Sequence, residues 1–375
     1  MVKGAKSINI LHVMQGTSLG GMEQVTLQRM MALSALGCPG RLVSLNSIGD
    51  LGPVLEKNRI SATGLAYRGI WGWRSIPSMW QAFRSDSPEG VVMSGHNVAA
   101  MLALGNLCKG HRVLCIHYHR AGVKSRRHWR LIYNLAFAKF NQITFPSDFV
   151  RKEAEEICPA VRTISTTLRN PVQIPDLPDT EVRERARAVF GLGPGVPVIG
   201  NAGWLIPRKR WDVFLRVAQR VVGEIPEAVF LIAGDGPQRN ELMRLAEELQ
   251  IAGNVRWLGW QRELRGFYSA VDILLFNSDW DAMGHTAVEA MSYGVPVVAS
   301  VVHGGLKELI DGDAVGYITE EHDLDWLADK ALHLLTDPAV RRAIGARARE
   351  RMACVCSPER DAAKIIGLLD LDEVE

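Results

Sequence analysis

Two carboxylates, Asp281 and Glu289, stand eight positions apart between two apolar segments, 271–276 and 297–299. Both segments have the composition of buried strands, and the residues between them are typical of a helix. We expect Asp281 on the loop that leaves the first strand, where open α/β sheets bind ligands, and Glu289 about two turns into the helix. The backbone N–H groups of residues 283–286 would open that helix and form an anion site. Together these groups suit a ligand that carries hydroxyls and phosphate.

Strand-like and helix-like segments alternate along the chain, beginning with a strand at 8–13 and a helix at 22–36. This rhythm predicts an α/β fold with doubly wound sheets. A proline-rich stretch interrupts it, and a second set of strands begins at 196–201. We therefore predict two Rossmann-like domains that face each other across a cleft. The predicted boundaries are 1–172 for an N-terminal domain, 173–195 for a hinge region, 196–356 for a C-terminal domain, and 357–375 for a C-terminal helix that packs back on the N-terminal domain.

The composition is that of an ordinary globular protein, with 375 residues, 22% charged and 47% hydrophobic. A formal net charge of +2 gives no reason to expect nucleic acid as a partner. The six cysteines are scattered without C-x-x-C spacing, which argues against a disulfide framework or a zinc site. The polar start of the chain does not resemble a signal peptide, and the longest apolar run, near 98–108, is too short to span a bilayer. These features predict a cytoplasmic protein.

A glycine-rich turn, 16–21, follows the first strand and ends in Gly20 and Gly21. Glycines at such a turn let a phosphate approach the backbone, with the helix N-terminus behind it. The turn is not G-x-G-x-x-G and no Walker lysine follows it, so a simple tight strand-to-helix turn is the better explanation of this turn by itself.

The second half of the chain closely resembles the retaining glycosyltransferases of family 4, which have the GT-B fold. The resembling segments follow the family's order and spacing across residues 196–318, and the first half matches more loosely. The resemblance implies transfer of a sugar from a nucleotide-diphosphate donor, with retention at the anomeric carbon. The segments are Gly203 to Arg210, Ala233 to Pro237, Asn254 to Gly259, Tyr268 to Asp272, Asp281 to Met291, Tyr293 to Ala299 and His303 to Glu308 in the second half, with Ile10 to Val13, Gly20 to Glu23 and the strand ending in His117 in the first.

Matched by position, the resemblance implies that Glu289 binds the ribose hydroxyls of the nucleotide and Asp281 the hydroxyls of the donor sugar. Lys209 matches a lysine that neutralises the diphosphate, where a fixed cation stabilises the leaving group. His117 matches a histidine that contacts the donor sugar. We predict Asp281, Lys209 and His117 as the catalytic group, without a dedicated protein base, because in this family the leaving phosphate itself is thought to accept the acceptor's proton. In this reading the C-terminal domain holds the donor and the N-terminal domain supplies most of the acceptor site.

The wider donor-binding set combines backbone and side-chain positions that the resemblance places around the nucleotide sugar. Two departures from the family stand out. The first carboxylate of the Glu-x7-Glu pair is the shorter Asp281, and the phosphate-binding arginine is replaced by Trp204, so that Arg208 or Arg210 would have to restore the charge. The set is Glu289, Met283, Gly284, His285, Gly21, Gly20, Arg210 and Trp204.

No metal ion or other cofactor is expected. Residues Asp279 to Asp281 form a literal Asp-x-Asp, the metal-binding pattern of the other glycosyltransferase fold, but here it stands in a GT-B context. His117 and His119 alternate on a strand-like segment and would point to opposite faces, which disfavours a shared metal. The nucleotide-diphosphate sugar is a co-substrate, and we favour a UDP-sugar over a GDP-sugar.

Basic and aromatic residues are mixed in two parts of the first half, and they suggest where the acceptor binds. We predict His96, Arg120 and Lys124 on the acceptor side, although a plain loop histidine and a solvated helix start are alternatives. The same mixture suits an anionic membrane surface, so peripheral contact with the inner face of the membrane is a second expectation. The residues that carry it are Arg120, Lys124, Arg126, Arg127, His128, Trp129 and Arg130, with Arg68, Trp71, Trp73, Arg74 and Trp80.

These observations predict a retaining glycosyltransferase that acts in surface polysaccharide or lipid-linked glycan synthesis. A glycosyltransferase for a soluble small molecule or natural product is the alternative within the same class. A non-catalytic nucleotide-sugar-binding protein and a nucleotide-sugar epimerase are the alternatives from other classes.

Overall fold

The computed structural model describes residues 8–16, 20–65, 67, 75–105, 110–117 and 125–370. The chain divides into two compact units, one of Met1–Pro171 with Cys356–Glu375 and one of Val172–Val355. The segment 173–195, expected to be a hinge region, therefore falls within the second unit. Each unit is built on its own parallel sheet with helices in the connections, so the predicted α/β class with two Rossmann-like sheets is confirmed.

The first unit contains a seven-stranded parallel sheet in the order β3-β2-β1-β4-β5-β6-β7. Its central strands are apolar and fully buried, as expected for parallel strands covered by helices on both faces. The strands are β1 Ile10–Met14, β2 Gly40–Ser44, β3 Ala62–Gly64, β4 Gly90–Ser94, β5 His111–Cys115, β6 Gln142–Phe145 and β7 Ser165–Thr167. The helices are α1 Gly21–Ala35, α2 Gly52–Lys57, α3 Ile76–Arg84, α4 Val98–Gly105, α5 Arg126–Lys139 and α6 Asp148–Ile157.

The second unit contains a six-stranded parallel sheet in the order β10-β9-β8-β11-β12-β13. Strand order reverses between β8 and β11, which creates a switch point at the carboxyl ends of these two strands. The strands are β8 Val198–Ala202, β9 Val229–Ala233, β10 Val255–Gly259, β11 Ile273–Asp281, β12 Val297–Gly304 and β13 Tyr317–Thr319. The helices are α7 Thr180–Val189, α8 Trp211–Glu224, α9 Arg239–Glu248, α10 Arg265–Ala270, α11 His285–Ser292, α12 Leu324–Thr336 and α13 Pro338–Cys356.

Strand β11 is longer than the apolar pattern suggested. We expected it to end at residue 276, with Asp281 on the following loop, but Asp281 is its last residue. The pairing with β12 continues through Trp280 opposite His303 and Asp281 opposite Gly304. Gly304 permits this because a Cβ atom there would collide with the carbonyl oxygen of Asp281. Backbone pairing thus extends the strand through a polar sequence that carries no hydrophobic signal.

The C-terminal helix, α14 (Pro358–Leu368), packs against α1 within the first unit. Its apolar residues Ala362 and Ile365 join a buried cluster that includes Leu33 on α1. The Arg29 guanidinium also donates to both carboxylate oxygens of Asp361, at 2.7 and 2.8 Å, and both side chains are almost completely buried. Apolar packing and a buried ion pair therefore hold α14 against α1.

Among the residues that the structure describes, no helix combines the length and the apolar character needed to cross a membrane.

Candidate functional site

The switch point of the second sheet brings together two segments that are far apart in sequence. The loop after β8 carries Lys209 on a short 3₁₀ helix, Pro207–Lys209. Strand β11 delivers Asp281 and leads into α11, whose first turn is tied to the end of β8 by the Thr286 hydroxyl, which donates to the carbonyl of Ala202 at 3.0 Å. Ligands of open α/β sheets bind at this edge, so we take it as the candidate site.

Asp281 is held by the candidate site's lysine and by the start of α11. Its Oδ2 lies 2.5 Å from Lys209 Nζ, and its Oδ1 accepts the backbone N–H groups of Gly284 at 2.7 Å and Met283 at 3.3 Å. Burial opposes ionisation, but the charge and hydrogen bonds of Lys209 and the Gly284 N–H outweigh it, and the pKa of Asp281 lies below its usual value. Asp281 is therefore a charged acceptor for the turn that leads into α11.

These contacts of Asp281 change the expectation for the N-terminus of α11. Residues 283–286 were expected to direct their N–H groups at a ligand, and two of those groups are engaged by Asp281 in the structure. Gly284 adopts a left-handed conformation with φ of 77°, which glycine accepts without steric cost. The backbone of Met283 and Gly284 and the side chain of Asp281 thus form one hydrogen-bonded turn.

Lys209 and its neighbours are oriented by backbone and ring contacts. The Lys209 ammonium lies 4.9 Å from the centre of the Phe276 ring, and Arg208 donates to the carbonyl of Trp280 at 3.0 Å. Arg208 Nη1 is also 3.8 Å from Asp281 Oδ2. The positive charges of both residues therefore converge on one carboxylate.

Arg210, considered as a substitute for the missing phosphate-binding arginine, and Trp204, which replaces that arginine, have different surroundings. Arg210 binds Asp212 through two hydrogen bonds of 3.0 and 2.9 Å, and it donates to Asp279 Oδ1 at 3.2 Å. The hydrogen bond from Arg210 is the largest influence that lowers the pKa of Asp212 against the opposing effect of burial. Trp204 is 56% exposed, and its ring centre lies 4.9 Å from that of Trp260. Arg210 is thus turned toward carboxylates of its own unit, whereas Trp204 contributes an exposed aromatic surface.

Glu289 is the fifth residue of α11, and both of its carboxylate oxygens contact other side chains. Oε2 accepts the Tyr268 hydroxyl at 2.7 Å, and Oε1 lies 3.2 Å from Nε2 of His285. Burial opposes ionisation of Glu289, but His285 and the Tyr268 hydroxyl outweigh it and lower its pKa. Burial would likewise lower the pKa of His285, yet Glu289 raises it above the ordinary value. The side chain of Glu289 is a quarter exposed, so solvent reaches this charged pair.

The predicted site residues of the first unit lie around the ends of β1 and β5. Gly20 caps α1 and Gly21 is its first residue. Strand β5 ends two residues before His117, whose Nδ1 lies 3.1 Å from Asn170 Oδ1. The His96 ring lies 4.9 Å from the buried ring of Trp129, which belongs to α5. Arg120 and Lys124, together with His119, Arg68, Trp71, Trp73 and Arg74, lie outside the described residues.

Sequence reasoning missed two side chains that contact the predicted ones. Tyr268 lies within a segment that resembles the family, but an aromatic residue on a helix gives no sign that its hydroxyl will reach Glu289, 21 positions later. His322 follows β13 and contacts Asp279 Oδ1 at 3.0 Å. An isolated histidine in a loop carries no pattern, so only the fold reveals this contact.

Among the described residues, the arrangement offers the cations Lys209 and Arg208 and two carboxylate acceptors near the start of α11. Lys209 supplies a fixed positive charge that suits a phosphate. Asp281 and Glu289 supply ionised oxygens that accept hydroxyl hydrogens. The site therefore matches a ligand in which phosphate lies between two hydroxyl-bearing groups.

Comparison with known proteins supports this description. Residues 182–351 match the family model described as Glycosyl transferases group 1, so this part of the chain carries a domain of that group. Among curated relatives, the N-acetyl-alpha-D-glucosaminyl L-malate synthase of Bacillus anthracis is 34% identical over 142 residues, which are 38% of this chain and 37% of that protein. The GDP-mannose-dependent monoacylated alpha-(1-6)-phosphatidylinositol monomannoside mannosyltransferase of Corynebacterium glutamicum is 30% identical over 198 residues, which are 50% of this chain and 51% of that protein. The chain thus spans about half or less of the length of these relatives.

Among solved structures, HepE of Anabaena, crystallised in complex with UDP and glucose, superposes with a TM-score of 0.85. The superposition covers 97% of this chain and 100% of HepE, at 18% identity. A likeness at this identity shows the fold, which is the GT-B fold of glycosyltransferases.

Proposed function

We propose that this protein is a retaining glycosyltransferase, which moves a sugar from a nucleotide-diphosphate donor to a hydroxyl acceptor. The observation that carries the proposal is the meeting of Lys209, Asp281 and Glu289 at the switch point of the second sheet. These residues lie within the stretch that matches the Glycosyl transferases group 1 model. We assign Glu289 to the ribose hydroxyls, Lys209 to the diphosphate and Asp281 to the hydroxyls of the donor sugar.

The proposed reaction needs a stabilised leaving group more than a protein base. The bond from the anomeric carbon to the phosphate oxygen breaks while the bond to the acceptor oxygen forms on the same face of the sugar. Breaking the bond to the anomeric carbon leaves its electron pair, and so negative charge, on the diphosphate, and the leaving phosphate oxygen then takes the acceptor's proton. Lys209 is the fixed cation of the site, and a preorganised cation stabilises that charge without reorganising in the transition state. In the first unit we assign His117 to the donor sugar and the Gly20–Gly21 turn to the distal phosphate.

We propose a UDP-sugar as the donor. The bound UDP and glucose of HepE support this choice, because that protein has the same fold along nearly the whole chain. The Corynebacterium relative is named for GDP-mannose, so a GDP-sugar is the competing donor in the experiment below.

We propose a surface polysaccharide or a lipid-linked glycan as the acceptor. The Corynebacterium relative is named for a phosphatidylinositol mannoside, which is a lipid-linked acceptor. The Bacillus anthracis relative is named for malate, a small molecule, and it supports the alternative of a soluble acceptor. The two acceptors differ in whether the enzyme must approach a membrane, and the surface of the first unit bears on that difference.

Three neighbouring helices of the first unit display basic and apolar side chains together. α3 packs against α4, and α4 packs against α5. Residues 76–84, 98–105 and 126–139, which form these helices, contain no Asp or Glu. The exposed large apolar residues of these helices are Trp80, Val98, Leu102, Leu131 and Phe137, and their exposed basic residues are Arg84, Arg126, Arg127 and Arg130. Because basic and apolar side chains together bind anionic lipid surfaces, we propose that this face contacts the inner leaflet of the membrane.

The test of the proposed function is a donor panel. The protein is incubated with UDP-, GDP- and dTDP-sugars and with lipid-linked or soluble acceptors, and nucleotide release is measured. We expect release with a UDP-sugar and a lipid-linked acceptor, and an anomeric proton coupling in the product that matches the donor's configuration. Binding without release would favour a non-catalytic binding protein. Inversion at C2 of the free donor would favour an epimerase. The Lys209→Ala variant is the control for contaminating activity.

A further inference from the structure

A chain of hydrogen bonds runs from the interior of the second sheet to the loop that carries Lys209. It begins at Asn277 on β11, which is fully buried and whose side-chain amide donates to Ser300 Oγ on β12 at 2.8 Å. Ser300 Oγ lies 2.7 Å from Nδ1 of His322, and Nε2 of His322 lies 3.0 Å from Asp279 Oδ1. The same Asp279 oxygen accepts Arg210 Nη1 at 3.2 Å.

The order of donors in this chain is set by its buried end. Because the Asn277 amide already donates to Ser300, the serine hydroxyl can direct its hydrogen at Nδ1 of His322. With Nδ1 as the acceptor, Nε2 carries the hydrogen that it donates to Asp279. His322 thus connects a rigid strand pair with a half-exposed carboxylate, whose side chain is 47% exposed.

Arg210 is the residue that this carboxylate holds, and its backbone conformation is unusual. Arg210 has φ of 48° and ψ of 48°, in the left-handed region that favours glycine over residues with a Cβ atom. It stands directly between Lys209 and the first residue of α8, and its carbonyl accepts the N–H of Val213. A change in the backbone conformation of Arg210 would therefore move Lys209 relative to the second sheet.

The contacts of Arg210 compensate for that conformation. Its guanidinium donates to both oxygens of Asp212 and to Asp279, so two carboxylates fix its side chain. Asp212 lies on α8, the helix that follows the turn, whereas Asp279 lies on β11, two residues before Asp281. The Asp279 contact ties the side chain of Arg210 to β11, the strand that carries the partner of Lys209, and on the same strand Ser278 Oγ donates to the carbonyl of Arg208 at 3.1 Å.

We propose that His322 is a positioning residue: through Asp279 it holds Arg210 in its left-handed turn and so sets the ammonium of Lys209 against Asp281. The inference rests on the proposed function for its catalytic consequence, because Lys209 is there the cation on the leaving diphosphate. His322 itself touches neither Lys209 nor Asp281 in the described contacts.

Two substitutions of His322 separate its two hydrogen bonds. In His322→Gln the amide nitrogen can stand near the position of Nε2 and still donate to Asp279. In His322→Asn the shorter side chain can reach only Ser300. We expect His322→Asn to lower kcat by about ten- to a hundredfold, with a smaller change in KM for the donor, because misplaced catalytic groups affect the transition state most. His322→Gln should stay within about threefold of the wild-type kcat, and His333→Asn, on the exposed side of α12, is the matched control.

Asp279→Ala is the second variant, and it removes the carboxylate at a position whose side chain is half exposed. It should reproduce the kcat loss of His322→Asn, and the double variant His322→Asn with Asp279→Ala should lose no more than either alone. Equal kcat values for His322→Asn and His322→Gln, or additive losses in the double variant, would overturn the inference.

A second readout does not depend on catalysis. Hydrogen–deuterium exchange of the peptide that spans 206–214 reports the backbone hydrogen bonds of the turn, including those accepted by Ile206, Pro207 and Arg210. We expect faster exchange in His322→Asn and Asp279→Ala and unchanged exchange in His322→Gln. If the wild type transfers no sugar but this pattern holds, the proposed function fails and the positioning role stands. If transfer occurs and the pattern is absent, the positioning role fails alone.

Discussion

Lys209 Nζ lies 2.5 Å from Asp281 Oδ2, although the two residues are 72 positions apart in the chain. Each side chain is only 14% exposed, so the pair is shielded from solvent on most sides. The same carboxylate accepts the N–H of Gly284 through its other oxygen. One aspartate therefore connects the loop after β8 with the turn that leads into α11, and a change at Asp281 acts on both.

Asp281→Asn removes the negative charge while keeping an oxygen that can accept the N–H of Gly284. We expect nucleotide affinity to stay nearly unchanged, because the ribose is assigned to Glu289. Turnover should fall about a hundredfold, as is typical when one preorganised electrostatic group is lost. Steady-state kinetics with the preferred donor measure kcat, and calorimetry measures nucleotide affinity.

The matched control for that change is Asp235→Asn, because Asp235 is exposed and its carboxylate accepts the N–H of the neighbouring Gly236. It should have wild-type kinetics. A normal kcat in Asp281→Asn would show that Asp281 only stabilises the turn before α11.

Glu289→Gln tests the ribose assignment with little change in shape. A hydrogen bond to a charged acceptor contributes about 1.5–3 kcal/mol, so the affinity for a nucleoside diphosphate should fall at least about tenfold. Titration calorimetry with UDP and GDP measures it. Glu241→Gln, on the exposed start of α9, is the control. Unchanged affinity in Glu289→Gln would assign this carboxylate to the Tyr268 and His285 contacts alone.

Sequence reasoning predicted those parts of the molecule whose signal is local. The central strands of both sheets are apolar runs because helices cover both faces, and an apolar run is visible in the sequence, whereas the short strands β3 and β7 carry no such signal. The helix that carries Glu289 was also predicted, because the residues between the two apolar segments are typical of a helix. The sequence also singles out Lys209 and Asp281 separately, and the structure brings them together.

The remaining features depend on contacts between distant segments. The extension of β11 to Asp281 follows from its pairing with Gly304, and polar strand residues give no periodic signal. The left-handed turn at Arg210 depends on Asp279 and His322, which lie 69 and 112 positions further along the chain. No local pattern encodes such contacts, because they form only when distant segments of the chain come together in the folded second unit.

The buried pair of Arg29 and Asp361 gives a stability prediction for the first unit. Asp361→Ala would leave the guanidinium of Arg29 buried without its carboxylate, which typically costs about 3–5 kcal/mol. We expect the unfolding free energy of the first unit to fall by that order in chemical denaturation. The double variant Arg29→Met with Asp361→Leu should recover much of the loss, since apolar residues of similar size often replace a buried ion pair. A loss below about 1 kcal/mol in Asp361→Ala would contradict the buried pair.

His12 gives a prediction for acidic solution. Burial, with a smaller effect of Arg29, lowers the pKa of His12 from 6.5 to about 3. Between these values the unfolded chain binds a proton that the folded protein does not. The contribution of neutral His12 is therefore fully present above about pH 6.5 and is lost as the pH falls, by about 1.4 kcal/mol for each pH unit.

His12→Leu removes this titration while keeping an apolar side chain in the sheet. We expect the wild type to lose about 2–3 kcal/mol more stability than the variant between about pH 6.5 and 4.5. Denaturant unfolding followed by circular dichroism at several pH values measures the difference. Parallel pH curves for the two proteins would show that the folded protein protonates His12 as readily as the unfolded chain does.

The basic and apolar face of α3, α4 and α5 predicts binding to anionic vesicles. Each basic residue near an anionic surface contributes about 1 kcal/mol, and buried apolar area adds to it. We expect co-sedimentation with phosphatidylglycerol-rich vesicles and little with purely zwitterionic ones. Leu131→Ser with Phe137→Ser should weaken this binding about tenfold or more, and Arg127→Glu with Arg130→Glu should abolish it. Leu177→Ser with Val189→Ser, which alters exposed apolar residues of the second unit, is the control. Equal binding to both kinds of vesicle, or equal loss in the control, would refute this surface and favour a soluble acceptor.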